Sequence, residues 1–250
     1  MKSWLLKNAA FCAVAAGVAS NLGAVVSDEE VLRLYGGAVK SGVSVSVESR
    51  KRLDNERFEQ ITLLFVKGGY QRREAVFSDG EMLFLDLIDP KTGVSYQSRF
   101  EEEQKTQALQ RSYAALKAIL PKLQVVELVS DPKNPYVYLF TDPLCKYCRE
   151  AMKNHENDLK SVNFRVILAP IDRHGEEAIR KSVKIIQESK KAKTLQEKIS
   201  IFKKYFDPQA PDPREVSQKA VRQLQEQVGQ IYRTGAIRGV PSVIFAEMLQ

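Results

Sequence analysis

Cys145 and Cys148 are separated by two residues in Phe140-Thr141-Asp142-Pro143-Leu144-Cys145-Lys146-Tyr147-Cys148, where an apolar run ends and a helical pattern begins. A thiol pair at this spacing has defined chemistry when it opens a helix. Unpaired N–H groups and the positive end of the helix dipole favour a thiolate at the first position. Lys146 adds a positive charge directly after it. One turn on, the second thiol can attack a mixed disulfide formed on the first and release its partner. A zinc site would have to draw on Cys145, Cys148, His155 and His174, and C-x2-C-x6-H-x18-H fits no common zinc finger. A c-type haem needs histidine after the second cysteine, where Arg149 stands. A purely structural disulfide would close a tight, labile loop. Redox chemistry without metal or other cofactor is the reading these residues support best.

The surrounding chain narrows the setting. Met1–Ser27 predicts an export signal: Lys2 and Lys7 give a positive start, and Ala9–Ala19 is an uncharged run of apolar and small residues. Cleavage is expected after Ser20 or Ala24. The run is short and alanine-rich against the roughly 20 apolar residues of a membrane span; an uncleaved N-terminal anchor is the alternative. Cys12 lies inside this segment and is expected to leave with it. The exported chain then keeps one redox-capable pair in an oxidising compartment. Across all 250 residues, 44% hydrophobic and 28% charged are globular proportions. Three cysteines and two histidines exclude a disulfide-dense scaffold and a two-metal cluster. Lys+Arg 38 against Asp+Glu 31 leaves +7. These charges are scattered without a basic block, so nucleic acid is not an expected partner.

The elements that must position the pair follow from periodicity. Ser27, with Glu30 three residues on, predicts a helix start, and Val31, Leu32, Leu34 and Tyr35 its apolar residues. Val43–Val47 alternates as a half-buried strand does. Ile61–Val66, Glu74–Phe77 and Met82–Ile88 are further strand candidates, with turns at Ser78-Asp79-Gly80 and Asp89–Gly93. Residues 28–98 therefore predict a small helix-plus-antiparallel-sheet domain without chemistry of its own. Phe100–Leu123 predicts a long helix with Leu109, Tyr113, Leu116 and Leu120 at helical spacing and a stop or kink at Pro121. From Val125 the pattern is α/β. Val125–Val129, Tyr136–Phe140 and Phe164–Ala169 read as strands, the last two buried on both faces, with a helix from the cysteines to about Leu159. Residues 175–235 are largely helical. Their apolar stripes are Leu195, Ile199, Phe202, Phe206 and Val221, Leu224, Val228, Ile231. Asp212-Pro213-Arg214-Glu215 predicts a helix start. Gly239-Val240-Pro241 turns into a last strand, and a proline at such a place can take the cis form.

The cysteine segment, with Gly239-Val240-Pro241 before the last strand, resembles the thioredoxin-fold disulfide isomerases of the bacterial periplasm, the DsbC/DsbG type. The resemblance extends over nearly the whole exported chain. It implies an α/β thioredoxin-like catalytic domain with a helical insertion over 124–250. Ahead of it come a cystatin-like α+β dimerisation domain over 28–98 and a linker helix over 99–123. It also implies a periplasmic homodimer acting on unfolded or misoxidised secreted proteins. Cys145 would be the nucleophile, Cys148 the resolving thiol, and Val240-Pro241 a cis-proline loop facing them. Val240, Pro241, Lys146 and Tyr147 would meet the client. A membrane reductant of the DsbD type would keep Cys145 reduced. Two departures bear on this. Isomerases usually carry Thr where Val240 stands, whereas Val is typical of DsbA-type oxidases, which discharge electrons to a DsbB-type acceptor. The family fold also continues past this point with another strand and a helix, so a shortened protein or part of a longer one is expected. An oxidase on a dimeric scaffold, or a non-catalytic chaperone using the dimer cleft, are the alternatives.

Overall fold

Ser27 opens the first helix as its sequence predicts. Its hydroxyl accepts from the Glu30 N–H, and the Glu30 carboxylate accepts from the Ser27 N–H, starting α1 (Asp28–Arg33). The computed structural model describes residues 26–54 and 56–249, without the side chains of Ala38, Lys40, His155 and Glu156. The export segment expected over Met1–Ser27 lies outside these residues except for Val26 and Ser27. Two compact units divide the chain between Gln104 and Lys105.

In the first unit, a short α2 (Gly36–Lys40) is followed by a meander of β1 (Ser44–Arg52), β2 (Glu59–Lys67) and β3 (Tyr70–Ser78), all antiparallel. The alternation holds in β1, where Val45 and Val47 are half-buried and Ser44 and Ser46 are exposed. Val31 is buried against Ile61, Leu63 and Val76, while Leu34, expected beside it, is 67% exposed. The strand expected over Met82–Ile88 shrinks to β4 (Leu83–Phe84). Only Leu83 and Phe84 pair with β3, opposite Ser78 and Phe77. Asp86 then accepts from the Leu87 and Gln97 N–H groups and bends the chain away, leaving Leu85 and Ile88 exposed. The turn at Asp89–Gly93 forms as its sequence predicts, with the Asp89 carboxylate accepting from the Lys91 N–H and the Thr92 hydroxyl.

The long helix α3 runs over Tyr96–Ile119 and passes through the unit boundary. Phe100 packs with Leu53, Ala75 and Phe77 of the first unit. Leu116 is buried with Phe140 and Ile231 of the second, and Leu109 is exposed. Pro121 sits in a single 3₁₀ turn, Leu120–Lys122, that ends the element.

The second unit holds β5 (Val126–Leu128), β6 (Tyr136–Thr141), β7 (Asn163–Leu168) and β8 (Ser242–Phe245) in the order β5-β7-β6-β8. β6 and β7 are parallel and both outer strands antiparallel. Alternate residues of the central strands serve two cores. Val137, Leu139, Phe164, Val166 and Leu168 face one; Phe140, Ile167 and Ala169 face the other. The first core is closed by α4 (Lys146–Asp158), α5 (Gly175–Ser189), α6 (Leu195–Phe206) and α7 (Gln218–Arg233). Both predicted stripes are there: Ile199, Phe202, Phe206, Val221, Leu224, Val228 and Ile231 are buried, and Leu195 packs at the margin. The helix start expected at Asp212 is not one. Arg180 occupies both Asp212 carboxylate oxygens, at 2.9 and 2.6 Å. The following residues make short reverse turns, and α7 begins after Ser217.

Candidate active site

The pair lies at the carboxyl end of β6, where the parallel strands open a crevice. Thr141 and Asp142 end the strand fully buried. Asp142 Oδ1 accepts from the Leu144 N–H at 2.8 Å, and the Cys145 N–H donates to the Asp142 carbonyl at 3.2 Å. These bonds turn the chain from strand to helix. The Cys145 carbonyl takes the first helical bond, from the Arg149 N–H at 3.1 Å, which makes Cys145 the N-cap of α4 and Cys148 its third residue. The N-cap side chain is the one that faces the free N–H groups of the first turn. The first cysteine thus sits where a helix best receives an anionic sulfur.

Both cysteines are free thiols, Cys145 3% exposed and Cys148 0%. The Val240-Pro241 bond is cis, and the Val240 carbonyl accepts from Cys145 Sγ at 3.5 Å. A loop 95 residues away in the chain therefore covers the first thiol. Burial pushes the Cys148 thiol up to about 12. The Thr141 hydroxyl and the Asp142 N–H act against that shift, and the hydroxyl has no conventional hydrogen-bond partner. Cys148 is accordingly a protonated thiol at neutral pH, shielded behind Cys145. Lys146 and Tyr147 are exposed, the Lys146 ammonium lying 4.0 Å from Glu150.

Asp142 and His174 are the residues that sequence reasoning did not assign to this site. Asp142 Oδ2 accepts from the Ile171 N–H at 3.0 Å and lies 2.7 Å from His174 Nδ1. The carboxyl group thus ties the turn before Cys145 to the loop after β7. In the sequence His174 presents itself only as a possible metal ligand. Among the described residues no cluster of His, Cys, Asp and Glu could hold a metal ion; the His155 side chain lies outside them. Tyr232 is the other neighbour. Its hydroxyl donates to the Ala169 carbonyl at 2.9 Å, and burial with the nearby Asp142 charge raises its pKa. A cavity of about 440 Å³ opens beside it, between Ile171 and Gly229.

Sheet order, the helix-capping cysteine and the cis proline against it make up a thioredoxin-like α/β fold. The chain is similar to the solved structure of Helicobacter pylori DsbG: TM-score 0.52 and 21% identity, over 84% of this chain and 97% of that one. A linker-deleted variant of Proteus mirabilis ScsC gives a TM-score of 0.40 at 16% identity, over 60% of this chain and 79% of that one. A periplasmic thioredoxin-like protein from Salmonella enterica serovar Typhimurium gives 0.36 at 16%, over 52% and 83%. No protein-family model and no curated protein matches the chain. Among the described residues no helix is long and apolar enough to cross a membrane.

Proposed function

We propose that the protein is a thiol–disulfide oxidoreductase of exported proteins that works as a disulfide isomerase, with Cys145 as nucleophile. One observation carries this reading: Cys145 caps α4 against the Val240 carbonyl, with a fully buried, protonated Cys148 behind it. The Cys145 thiolate attacks one sulfur of a client disulfide. A Cys145–client S–S bond forms, the client bond breaks, and the other client sulfur leaves as a thiolate. A second client thiolate can then attack the mixed disulfide, forming a new client bond and returning Cys145 unchanged. No net oxidation occurs on that route. Alternatively Cys148 loses its proton and attacks Cys145, so the pair is oxidised and the client leaves reduced. A thiol held near 12 resolves slowly, which gives the client time to rearrange. The pair is its own redox centre, so the reading calls for no cofactor.

The setting belongs to the same proposal. The N-terminal segment and the single cysteine pair support a periplasmic protein. Residues 28–98 would join two copies, and a DsbD-type dithiol donor would reduce the Cys145–Cys148 disulfide after each resolution. A second reading, oxidation of clients with a DsbB-type acceptor, is favoured by Val240 before the cis proline. A scrambled-disulfide test protein separates the two. The reduced protein should restore its native pairing without a net change in thiol count. Recovery only of reduced test protein, by oxidised enzyme, would replace isomerase with oxidase.

A further inference from the structure

A groove of about 560 Å³ runs along α4 beyond the cysteines, between that helix and α6. Its apolar lining includes Met152, Phe202 and Phe206, and its rim carries Lys146, Lys153 and Lys203. Arg149 also lines it but donates to the Leu144 carbonyl at 3.0 Å. Two acids are present. Glu150 lies 4.0 Å from Lys146, and Asp207 accepts from the Gln209 N–H. Cations outnumber acids around this groove, and its wall begins at Lys146, the first of the two residues between the cysteines. A space of this size accommodates one or two apolar side chains.

We propose that this groove holds the client chain flanking the cysteine joined to Cys145, and that it selects an extended stretch with an apolar side chain next to carboxylates. The inference rests on the redox reading above and names the client class that the site prefers. Reach sets the spacing. α4 rises about 1.5 Å per residue, which places Lys153 about 12 Å along the axis from Cys145. An extended chain covers about 3.3 Å per residue, so the third or fourth residue from the client cysteine arrives there. A carboxylate at that position meets the lysine rim, while an apolar side chain nearer the cysteine enters the groove. Exposed charges of this kind act mainly on encounter and choice of partner, and salt weakens them.

The test uses the full-length protein as its Cys148→Ser variant, which keeps Cys145 alone. The probes are nine-residue peptides with a central cysteine, blocked as its disulfide with thionitrobenzoate, and leucine two residues to each side. The third and fourth residues on both sides are glutamate in one peptide and lysine in the other. Attack by Cys145 joins it to the peptide cysteine and releases coloured thionitrobenzoate. At low salt the glutamate peptide should react about ten times faster than the lysine peptide, and the ratio should shrink at about 0.5 M salt. Because the whole chain is basic, the second arm adds Lys153→Glu and Lys203→Glu, which should abolish or invert the ratio. Equal rates for the two peptides, or a preference that survives both substitutions, would overturn the groove assignment. Failure of both peptides to release thionitrobenzoate would instead overturn the redox reading itself.

Discussion

Replacing Asp142 with alanine removes the acceptor of two backbone N–H groups that shape the turn into α4. The Leu144 N–H, at 2.8 Å, and the Ile171 N–H, at 3.0 Å, both lose their partner. An unsatisfied donor costs about 1–3 kcal/mol, and these sites are only part-buried, so each stands in the lower half of that range. The lost carboxyl group no longer has to be desolvated, which offsets part of the cost. The net destabilisation is therefore about 2 kcal/mol, or about 4–8 °C in Tm for a protein of this size. Asp142→Asn keeps an acceptor for Leu144 but sets an amide donor opposite the Ile171 N–H. It should cost about half as much, on the order of 1 kcal/mol. Because the chain has two compact units, calorimetry must assign the transition that moves, and the unit carrying the cysteines should be the one. Thiol exchange should fall further in the alanine variant, in which nothing holds the Leu144 N–H just before Cys145. An alanine variant within 1 kcal/mol of the parent, or an asparagine variant as damaged as alanine, would refute this account of the turn.

Three further outcomes are expected. Cys148 ordinarily ionises near 9.0 and here near 12. Release of a client from Cys145 should therefore quicken about tenfold per pH unit from neutrality upward, measured by acid-quenched mixed-disulfide decay, until Cys148 itself titrates; a flat profile would contradict the buried-thiol assignment. The sign for stability is opposite: below pH 9 both folded and unfolded thiols are neutral. Above it only the unfolded one ionises, so the reduced protein should lose stability up to pH 12 at about 1.4 kcal/mol per unit more than Cys148→Ala does. Val240→Thr should cost about 1 kcal/mol or less, since the shapes match and the site is part-exposed. It should shift the balance of scrambled-protein repair over reduced-protein oxidation, and an unchanged ratio and redox potential would show that Val240 carries no such information. Light scattering on residues 28–250 should give twice the mass of one copy. Deletion of residues 28–98 should return it to one, and a monomeric full-length protein would remove the assembly from the proposal.

Much of this fold was legible because its signals are local. The Ser27–Glu30 capping box, the alternation of β1, the apolar runs of β6 and β7 and the α6 and α7 stripes each sit within a few residues of the element they specify. The failures share a cause, which is a partner distant in sequence. Asp212 reads as an N-cap until Arg180, 32 residues away, takes its carboxylate. Met82–Ile88 reads as a strand until the Gln97 N–H, 11 residues beyond Asp86, takes the Asp86 carboxylate and the chain turns away. Leu34 reads as core because nothing local shows that Val31 already fills the space above β2 and β3. The site divides the same way. The cysteine spacing and the proline before the last strand are visible in the sequence, but the Asp142–His174 contact joins residues 32 positions apart. Only the Asp142 half left a trace, as an acid two residues before Leu144 at a strand end, where such side chains cap turns.

Mass spectrometry of a trapped intermediate addresses the division of labour between the two thiols without any downstream readout. Reduced Cys148→Ser protein is mixed with a disulfide-bonded client, quenched in acid, digested and mapped. The expected result is a client peptide joined to Cys145, with no comparable adduct on the Cys145→Ser protein. An adduct on Cys148 in the Cys145→Ser protein, with none on Cys145 in the other, would reverse the roles and contradict the mechanism.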